Sequence, residues 1–176
     1  MEAVENIPKT ALDIFRLLPE GTLCEVIDNI LYMSPAPKYN HQRLVFFLAR
    51  RIADFVDQYR LGEVFISPND VYLEDLLSAV QPDLFFISSE NTDVLKEDGY
   101  IHGAPDLIVE VLSGDRKRDT VRKKSLYERA GVKEYFVVDP SDRKVQCFVL
   151  KGDNYVTAYE TEGTFTSVLL NLTFEF

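Results

Sequence analysis

The stretch Leu107-Ile108-Val109-Glu110-Val111-Leu112 indicates the fold class of this 176-residue chain most directly. It is short, rich in β-branched residues and apolar at both sets of alternating positions, which is typical of a central strand covered on both faces. Glu110 is the exception in this pattern. Because an unpaired carboxylate in such a strand costs several kcal/mol, we expect Glu110 to be protonated, hydrogen-bonded to a partner or bound to a cation.

A second acidic residue, Asp83, lies in another apolar stretch, Val80-Gln81-Pro82-Asp83-Leu84-Phe85-Phe86-Ile87. Neighbouring strands lie about 4.8 Å apart, so carboxylates on two such strands can reach one ion. Hard cations such as Mg²⁺ bind one or two carboxylates and keep water molecules, an arrangement that suits phosphodiester hydrolysis. The two acids therefore suggest a metal site. The alternatives are a structural ion pair between Glu110 and a basic residue of 115–124, and an ordinary strand-end position for Asp83.

The rest of the pattern indicates one α/β domain spanning residues 1–176, because the sequence contains no repeat and no low-complexity linker. Apolar residues recur at helical spacing in 39–60, and a basic helix is expected at 115–130, ending at Gly131. A short helix is expected at 11–18, a β-hairpin at 22–33, strands at 62–66, 70–74, 80–87, 106–113, 133–139 and 143–150, weaker strands at 154–160, 164–170 and 172–176, and a loop at 88–104. These elements predict a mixed β-sheet flanked by helices.

The charge of the chain limits its partners. The net charge of -10 argues against a protein that coats nucleic acid generally. Residues 115–124 nevertheless carry six basic and two acidic groups, so this segment is either a solvated helix face or a surface that contacts phosphates.

Cys24 and Cys147 lie in apolar segments and are expected to be buried free thiols. No signal peptide or apolar run of membrane-spanning length is present, which predicts a cytoplasmic protein without a membrane span.

Four stretches carry a resemblance to a known family. They are Glu25-Val26-Ile27-Asp28, Met33-Ser34-Pro35 followed by His41, Gln81-Pro82-Asp83, and the long block from Ala104-Pro105-Asp106 to Asp139-Pro140. Over about residues 20–150 the chain resembles the Uma-type family of endonucleases, within the PD-(D/E)xK restriction-endonuclease-like superfamily. The resemblance implies a restriction-endonuclease-like core, a mixed β-sheet flanked by helices with an N-terminal β-hairpin as an extension. It also implies metal-dependent cleavage of nucleic acid, with DNA as the expected substrate.

The resemblance also implies roles for particular residues. Asp83 and Glu110, with the backbone carbonyl of Val111, would bind Mg²⁺ or Mn²⁺. The superfamily lysine belongs two residues after the second acid, where this chain has Leu112; the family position is Lys123, with Lys124 as the alternative. This lysine would orient the attacking water or offset charge in the transition state. Glu25 and His41 are further candidates for the site.

Two functions are consistent with this pattern. The first is a Mg²⁺-dependent endonuclease that acts as a homodimer, because duplex cleavage needs two sites. Its expected nucleic-acid-binding residues are Arg116, Lys117, Arg118 and Arg122. The second is a weak or inactive nuclease-fold protein that binds nucleic acid or a protein partner. Leu112 at the lysine position and the acidic net charge favour this alternative.

Overall fold

A computed structural model describes residues 7–114 and 118–176, with the backbone alone for Arg118 and Asp119. The helices are α1 (Ala11–Phe15), α2 (Tyr39–Tyr59) and α3 (Lys124–Ala130), and a π-helical segment, Arg118–Lys123, leads directly into α3. The strands are β1 (Cys24–Ile27), β2 (Ile30–Met33), β3 (Gly62–Ile66), β4 (Val71–Leu73), β5 (Ser78–Val80), β6 (Leu84–Ser88), β7 (Ile101–His102), β8 (Leu107–Val111), β9 (Glu134–Val138), β10 (Lys144–Lys151), β11 (Asn154–Glu162), β12 (Thr164–Ser167) and β13 (Leu172–Glu175). Short 3₁₀ turns occupy Glu74–Leu76 and Thr92–Val94.

The central layer is a six-stranded sheet in the order β11-β10-β9-β8-β6-β3. Strands β8 and β9 are parallel, and the other neighbours in this sheet are antiparallel. The connection from β8 to β9 runs through α3, as expected for a parallel pair, which needs a long crossover. The predicted mixed sheet flanked by helices is therefore confirmed.

The strand β8 is buried on both faces because different elements cover them. Val109 and Val111 pack in a cluster with Leu48 and Ile52 of α2. Ile108 and Leu112 point into a second cluster, which includes Tyr127 of α3 and residues of the second sheet. Side chains alternate along a strand, so Glu110 projects to the same face as Ile108, towards the second sheet.

The second sheet has five strands in the order β2-β1-β5-β4-β7, and α1 packs on it. Its first hairpin turns at Asp28 and Asn29, whose φ angles of 50° and 61° are those of a type I′ turn. The hairpin of β1 and β2 is the predicted N-terminal hairpin. It pairs with β5 through Val26 and Ala79, so it also forms part of the second sheet.

Two of the predicted elements that position the cleft have different boundaries in the structure. The strand expected at 80–87 is two strands, β5 and β6, which belong to different sheets and are separated by Gln81-Pro82-Asp83. Pro82 has no N–H to donate to a sheet, which favours a break at this point. The helix expected at 115–130 is described from residue 118 and begins as the π-helical segment; it ends as predicted, with Gly131 at a φ of 87°.

Both cysteines are buried free thiols, as predicted. Among the described residues, no helix is both long enough and apolar enough to cross a membrane.

Asp106 fixes the start of the central strand. Its side chain is buried, and one carboxylate oxygen accepts hydrogen bonds from the Ser88 N–H at 2.8 Å and from Asn91 Nδ2 at 3.0 Å. The other lies 2.6 Å from Lys133 Nζ. Burial opposes ionisation of Asp106, but these hydrogen bonds outweigh it and hold its pKa below the usual value.

We expect Asp106→Asn to lower the free energy of unfolding at pH 7 by about 1.5–3 kcal/mol, because hydrogen bonds to a buried charge are lost. The pKa of Asp106 is lowered on folding. The stabilisation is therefore complete above about pH 4 and is lost as the pH falls through the folded-state pKa. Urea unfolding at pH 7 and at pH 3 measures this, with the exposed Asp153→Asn as the control. An equal difference between Asp106→Asn and wild type at both pH values would contradict the assignment.

Candidate active site

A cleft of about 430 Å³ opens where the two sheets, the start of α2 and the π-helical segment meet. Five of the residues that line it carry ionisable side chains that contact one another or share the cleft: Glu25, His41, Asp83, Glu110 and Lys123. They come from five separate parts of the chain, so the cleft exists only in the folded protein.

Asp83 and Glu110 are brought together by two neighbouring strands of the six-stranded sheet. Strands β6 and β8 pair Leu84 with Val109, and Asp83 directly precedes Leu84 while Glu110 directly follows Val109. Both acids line the cleft. The Val111 N–H donates to Asp83 Oδ2 at 2.8 Å, which ties the Asp83 carboxylate to the end of β8. Both carboxylates therefore face one cleft.

Glu110 is held by two buried donors from one side of a single helix. Its Oε1 accepts from Lys123 Nζ at 2.9 Å and from the Tyr127 hydroxyl at 2.8 Å. Lys123 and Tyr127 are four residues apart, which places them on the same side across one helical turn. Burial, together with the negative charges of Glu110 and Glu25, raises the pKa of Tyr127 well above its usual value. Tyr127 therefore stays protonated and acts as a donor to Glu110.

Tyr127 is a site residue that the sequence does not identify. From the sequence, Tyr127 is expected to be a core aromatic residue with a buried polar tip. In the structure its ring is fully buried. Only the structure shows that the Tyr127 hydroxyl donates to Glu110. Its spacing of four residues from Lys123 is the one signal in the sequence that could have indicated a shared target.

Glu25 is the second carboxylate in contact with Lys123. Lys123 Nζ lies 2.8 Å from Glu25 Oε1, which also accepts the Gln81 N–H at 2.9 Å. The side chains of Glu25, Glu110 and Lys123 are each at most 4 % exposed. The ammonium group of Lys123 is thus buried between two carboxylates from different sheets. Lys123 belongs to the π-helical segment, whereas the superfamily lysine is expected two residues after the second acid, at the position of Leu112.

His41 belongs to the first turn of α2 and points into the protein. Its Nε2 lies 3.1 Å from Asp83 Oδ2, and its side chain is 7 % exposed. Asp83 Oδ2 is therefore bonded on two sides, by the imidazole and by the Val111 N–H. These contacts fix the direction in which the carboxylate presents its other oxygen.

The remaining predicted residues lie elsewhere. Lys124 Nζ lies 3.9 Å from the centre of the Phe148 ring, outside the cleft. Arg122 packs over the Tyr32 ring and hydrogen-bonds to its hydroxyl. Two predicted nucleic-acid-binding residues, Arg116 and Lys117, and the side chain of a third, Arg118, lie outside the described residues.

The donors in the cleft suit a hard cation. Mg²⁺ is usually bound through one or two carboxylates, with water or substrate completing the octahedron, and Asp83, Glu110 and a backbone carbonyl are oxygen donors of this kind. Within 7–114 and 118–176, no group of three or more His, Cys, Asp or Glu residues is arranged to hold a metal ion. Asp83 and Glu110 supply the one or two carboxylates that Mg²⁺ usually takes from a protein.

Comparisons with known proteins agree with this architecture. The sequence profile of the family Uma2, described as "Putative restriction endonuclease", matches residues 12–175. A crystal structure described as "a putative nuclease belonging to DUF820", from Anabaena variabilis, superposes with a TM-score of 0.73 at 21 % identity, covering 96 % of this chain and 95 % of that one. No curated protein matches the chain. The likeness to the solved structure shows a shared fold, and the family match over nearly the whole length shows that the chain belongs to the Uma2 family.

Proposed function

We propose that the protein is a metal-dependent endonuclease that hydrolyses phosphodiester bonds of nucleic acid, with DNA as its substrate. The observation that carries the proposal is that Asp83 and Glu110 line one cleft, with the Val111 N–H 2.8 Å from Asp83 Oδ2 and Lys123 Nζ 2.9 Å from Glu110 Oε1. Membership of the Uma2 family and the similarity to a nuclease structure support the reaction class.

Asp83 and Glu110 would hold Mg²⁺ or Mn²⁺, with the Val111 carbonyl as a further ligand. A bound divalent cation supplies Lewis-acid stabilisation of the phosphoryl group and lowers the pKa of water. Lys123 contributes a fixed positive charge beside Glu110, where it can offset negative charge that develops on the phosphoryl oxygens. Tyr127 and His41 are positioning residues, because each hydrogen-bonds to one of the two carboxylates.

The described part of each chain contains one cleft that holds Asp83 and Glu110, whereas a DNA duplex has two strands. We therefore propose that the nuclease cuts duplex DNA as a homodimer, with one cleft for each strand. The basic residues expected to contact phosphates include Arg122, which is exposed.

The test is cleavage of supercoiled plasmid and of single-stranded oligonucleotides in Mg²⁺, in Mn²⁺ and in EDTA. We expect cleavage in at least one of the two metals and none in EDTA. Asp83→Asn should reduce the rate by at least about 10²–10³, the usual cost of losing one preorganised electrostatic interaction with the transition state. Asp153→Asn, an exposed acid outside the cleft, should cleave like wild type. Cleavage that continues undiminished in EDTA would contradict the metal-dependent mechanism.

A second candidate function is a nuclease-fold protein that binds nucleic acid or a protein partner without cutting. The observation that favours it is Leu112, which occupies the superfamily lysine position and packs in an apolar cluster. This candidate predicts that none of these substrates is cleaved. It also predicts that calorimetry gives the same result for wild type and Asp83→Asn, because there is no Mn²⁺ site for the substitution to remove.

A further inference from the structure

The exposed side of α2 carries an ordered stripe of six residues. It is named here the outward stripe and consists of Tyr39, Arg43, Phe46, Arg50, Asp54 and Asp57. Their spacings of three and four residues align them along one side of the helix. The opposite side is buried and includes His41, Leu48 and Ile52. The outward stripe therefore faces away from both the sheet and the His41 contact of the cleft.

Two large rings in the outward stripe are unusually open to solvent. Tyr39 is 78 % exposed and Phe46 is 67 % exposed. The Arg43 guanidinium lies over the Tyr39 ring at 5.8 Å, and no contact between Phe46 and another ring is seen among the described residues. Phe46 thus presents an apolar surface in the middle of a helix face that nothing in the described chain covers.

The charges of the outward stripe are divided between its two ends. Arg43 and Arg50 lie towards the start of α2, and Asp54 and Asp57 lie towards its end. Within residues 7–114 and 118–176, none of these four forms an ion pair. The outward stripe therefore has no net charge, but one end is positive and the other is negative. A second copy of the stripe in the reverse direction would place opposite charges next to each other.

We propose that the outward stripe of α2 is the surface through which two copies of this chain pair, with the two helices antiparallel about a two-fold axis between Phe46 and Arg50. The proposal deepens the proposed function, in which two clefts act on two strands. A two-fold contact is formed by the same patch on both copies, so the patch must be complementary to itself. In this arrangement Phe46 is level with Arg50 of the second copy, and Tyr39 with Asp57. Arg43 lies within about 1.5 Å of the level of Asp54.

A strand of nucleic acid is the other occupant that exposed rings and arginines could bind. The acidic end of the outward stripe disfavours it, because Asp54 and Asp57 would repel phosphates that continue along the helix. A single helix pair is at the low end of stable interface sizes, so we expect a dissociation constant in the micromolar range.

The test is sedimentation velocity of the full chain across a wide range of concentration, without divalent cations or nucleic acid, so that its result is independent of catalysis. Wild type should shift from 20.2 kDa towards twice that mass as concentration rises. Arg43→Glu and Asp54→Arg should each weaken pairing at least about tenfold, because like charges then face each other. The chain with both changes should pair like wild type. Phe46→Ala should also weaken pairing, and the exposed Lys151→Glu should not.

Three results would overturn the proposal. The first is a wild-type chain that stays at 20.2 kDa throughout. The second is a double charge exchange that does not restore pairing. The third is an Asp54→Arg chain that has the same sedimentation mass as wild type and binds a fluorescent oligonucleotide more tightly than wild type. This result would assign the outward stripe to nucleic acid instead. Circular dichroism of each variant confirms that the fold is retained.

Discussion

Replacing Lys123 with methionine is expected to lower the free energy of unfolding by about 3–5 kcal/mol at neutral pH, because it leaves buried carboxylates without their ammonium partner. Glu25 and Glu110 both contact Lys123 Nζ, at 2.8 and 2.9 Å, and all three side chains are almost completely buried. Methionine keeps the length and the apolar part of the side chain, so the loss reports the charge. Urea unfolding in EDTA measures it.

Lys124→Met is the matched control for this change. Lys124 is the next residue in the chain, and its ammonium group packs over Phe148 instead of entering the cleft. Methionine can still pack on that ring, so we expect a change of less than about 1 kcal/mol, the usual size of an exposed cation–π interaction.

Addition of Mn²⁺ distinguishes a metal site from a purely structural ion pair. A cation that binds only the folded protein adds to its stability, and the addition grows with cation concentration. We expect Mn²⁺ to recover part of the loss in Lys123→Met, because its charge can take the place of the missing ammonium. A variant as stable as wild type in EDTA would contradict the buried ion pair. A variant that is destabilised but unaffected by Mn²⁺ would contradict the metal site.

Glu110→Gln is expected to reduce the rate of metal-dependent cleavage by about 10³ or more. The amide has nearly the same shape as the carboxylate, and its oxygen can still accept from Lys123 and Tyr127, but it is a neutral and much weaker ligand for Mg²⁺. The fold should survive, since Lys123 keeps its contact with Glu25. The measurement is the single-turnover cleavage rate at saturating Mg²⁺, with circular dichroism to confirm folding.

Glu134→Gln provides the matched control for Glu110→Gln. Glu134 is an equally buried glutamate on the neighbouring parallel strand β9, and it accepts hydrogen bonds from Ser167 Oγ and from the Val168 and Leu169 N–H groups. It does not line the cleft. We expect its replacement to cost stability and to leave the cleavage rate of the folded protein unchanged. Wild-type cleavage by Glu110→Gln would remove Glu110 from the mechanism.

The sequence predicted the central strand and the anomalous position of Glu110 because both depend on local pattern. A run that is apolar on both faces has few other interpretations, and an acid within it stands out. The same reasoning located the amphipathic helix α2 to within one residue at its C-terminal end, since its apolar spacing is regular.

The assignment of β5 and β6 to two different sheets could not be predicted. Strands β5 and β6 are separated by only three residues, yet they pair with different neighbours. Sheet membership depends on long-range pairing, such as Val26 with Ala79, which leaves no mark in the local pattern. For the same reason, the contact of Lys123 with Glu25 could not be predicted, since the two residues are far apart in the sequence.

The resemblance to the Uma-type family, now confirmed by the family match, placed a lysine in the segment after β8. The sequence alone could not choose between Lys123 and Lys124, because adjacent residues differ only in the direction of their side chains. The structure separates them: one ammonium group enters the cleft and the other packs on Phe148. The catalytic role of Lys123 stays a prediction.

Diffraction from crystals soaked in Mn²⁺ is the decisive measurement for the metal site, because the anomalous signal locates the cation independently of any assumed mechanism. We expect a peak in the cleft within coordination distance of both Asp83 and Glu110. Crystals at saturating Mn²⁺ with no peak between these two carboxylates would contradict the metal site, and Glu110 would then be part of a structural ion pair with Lys123.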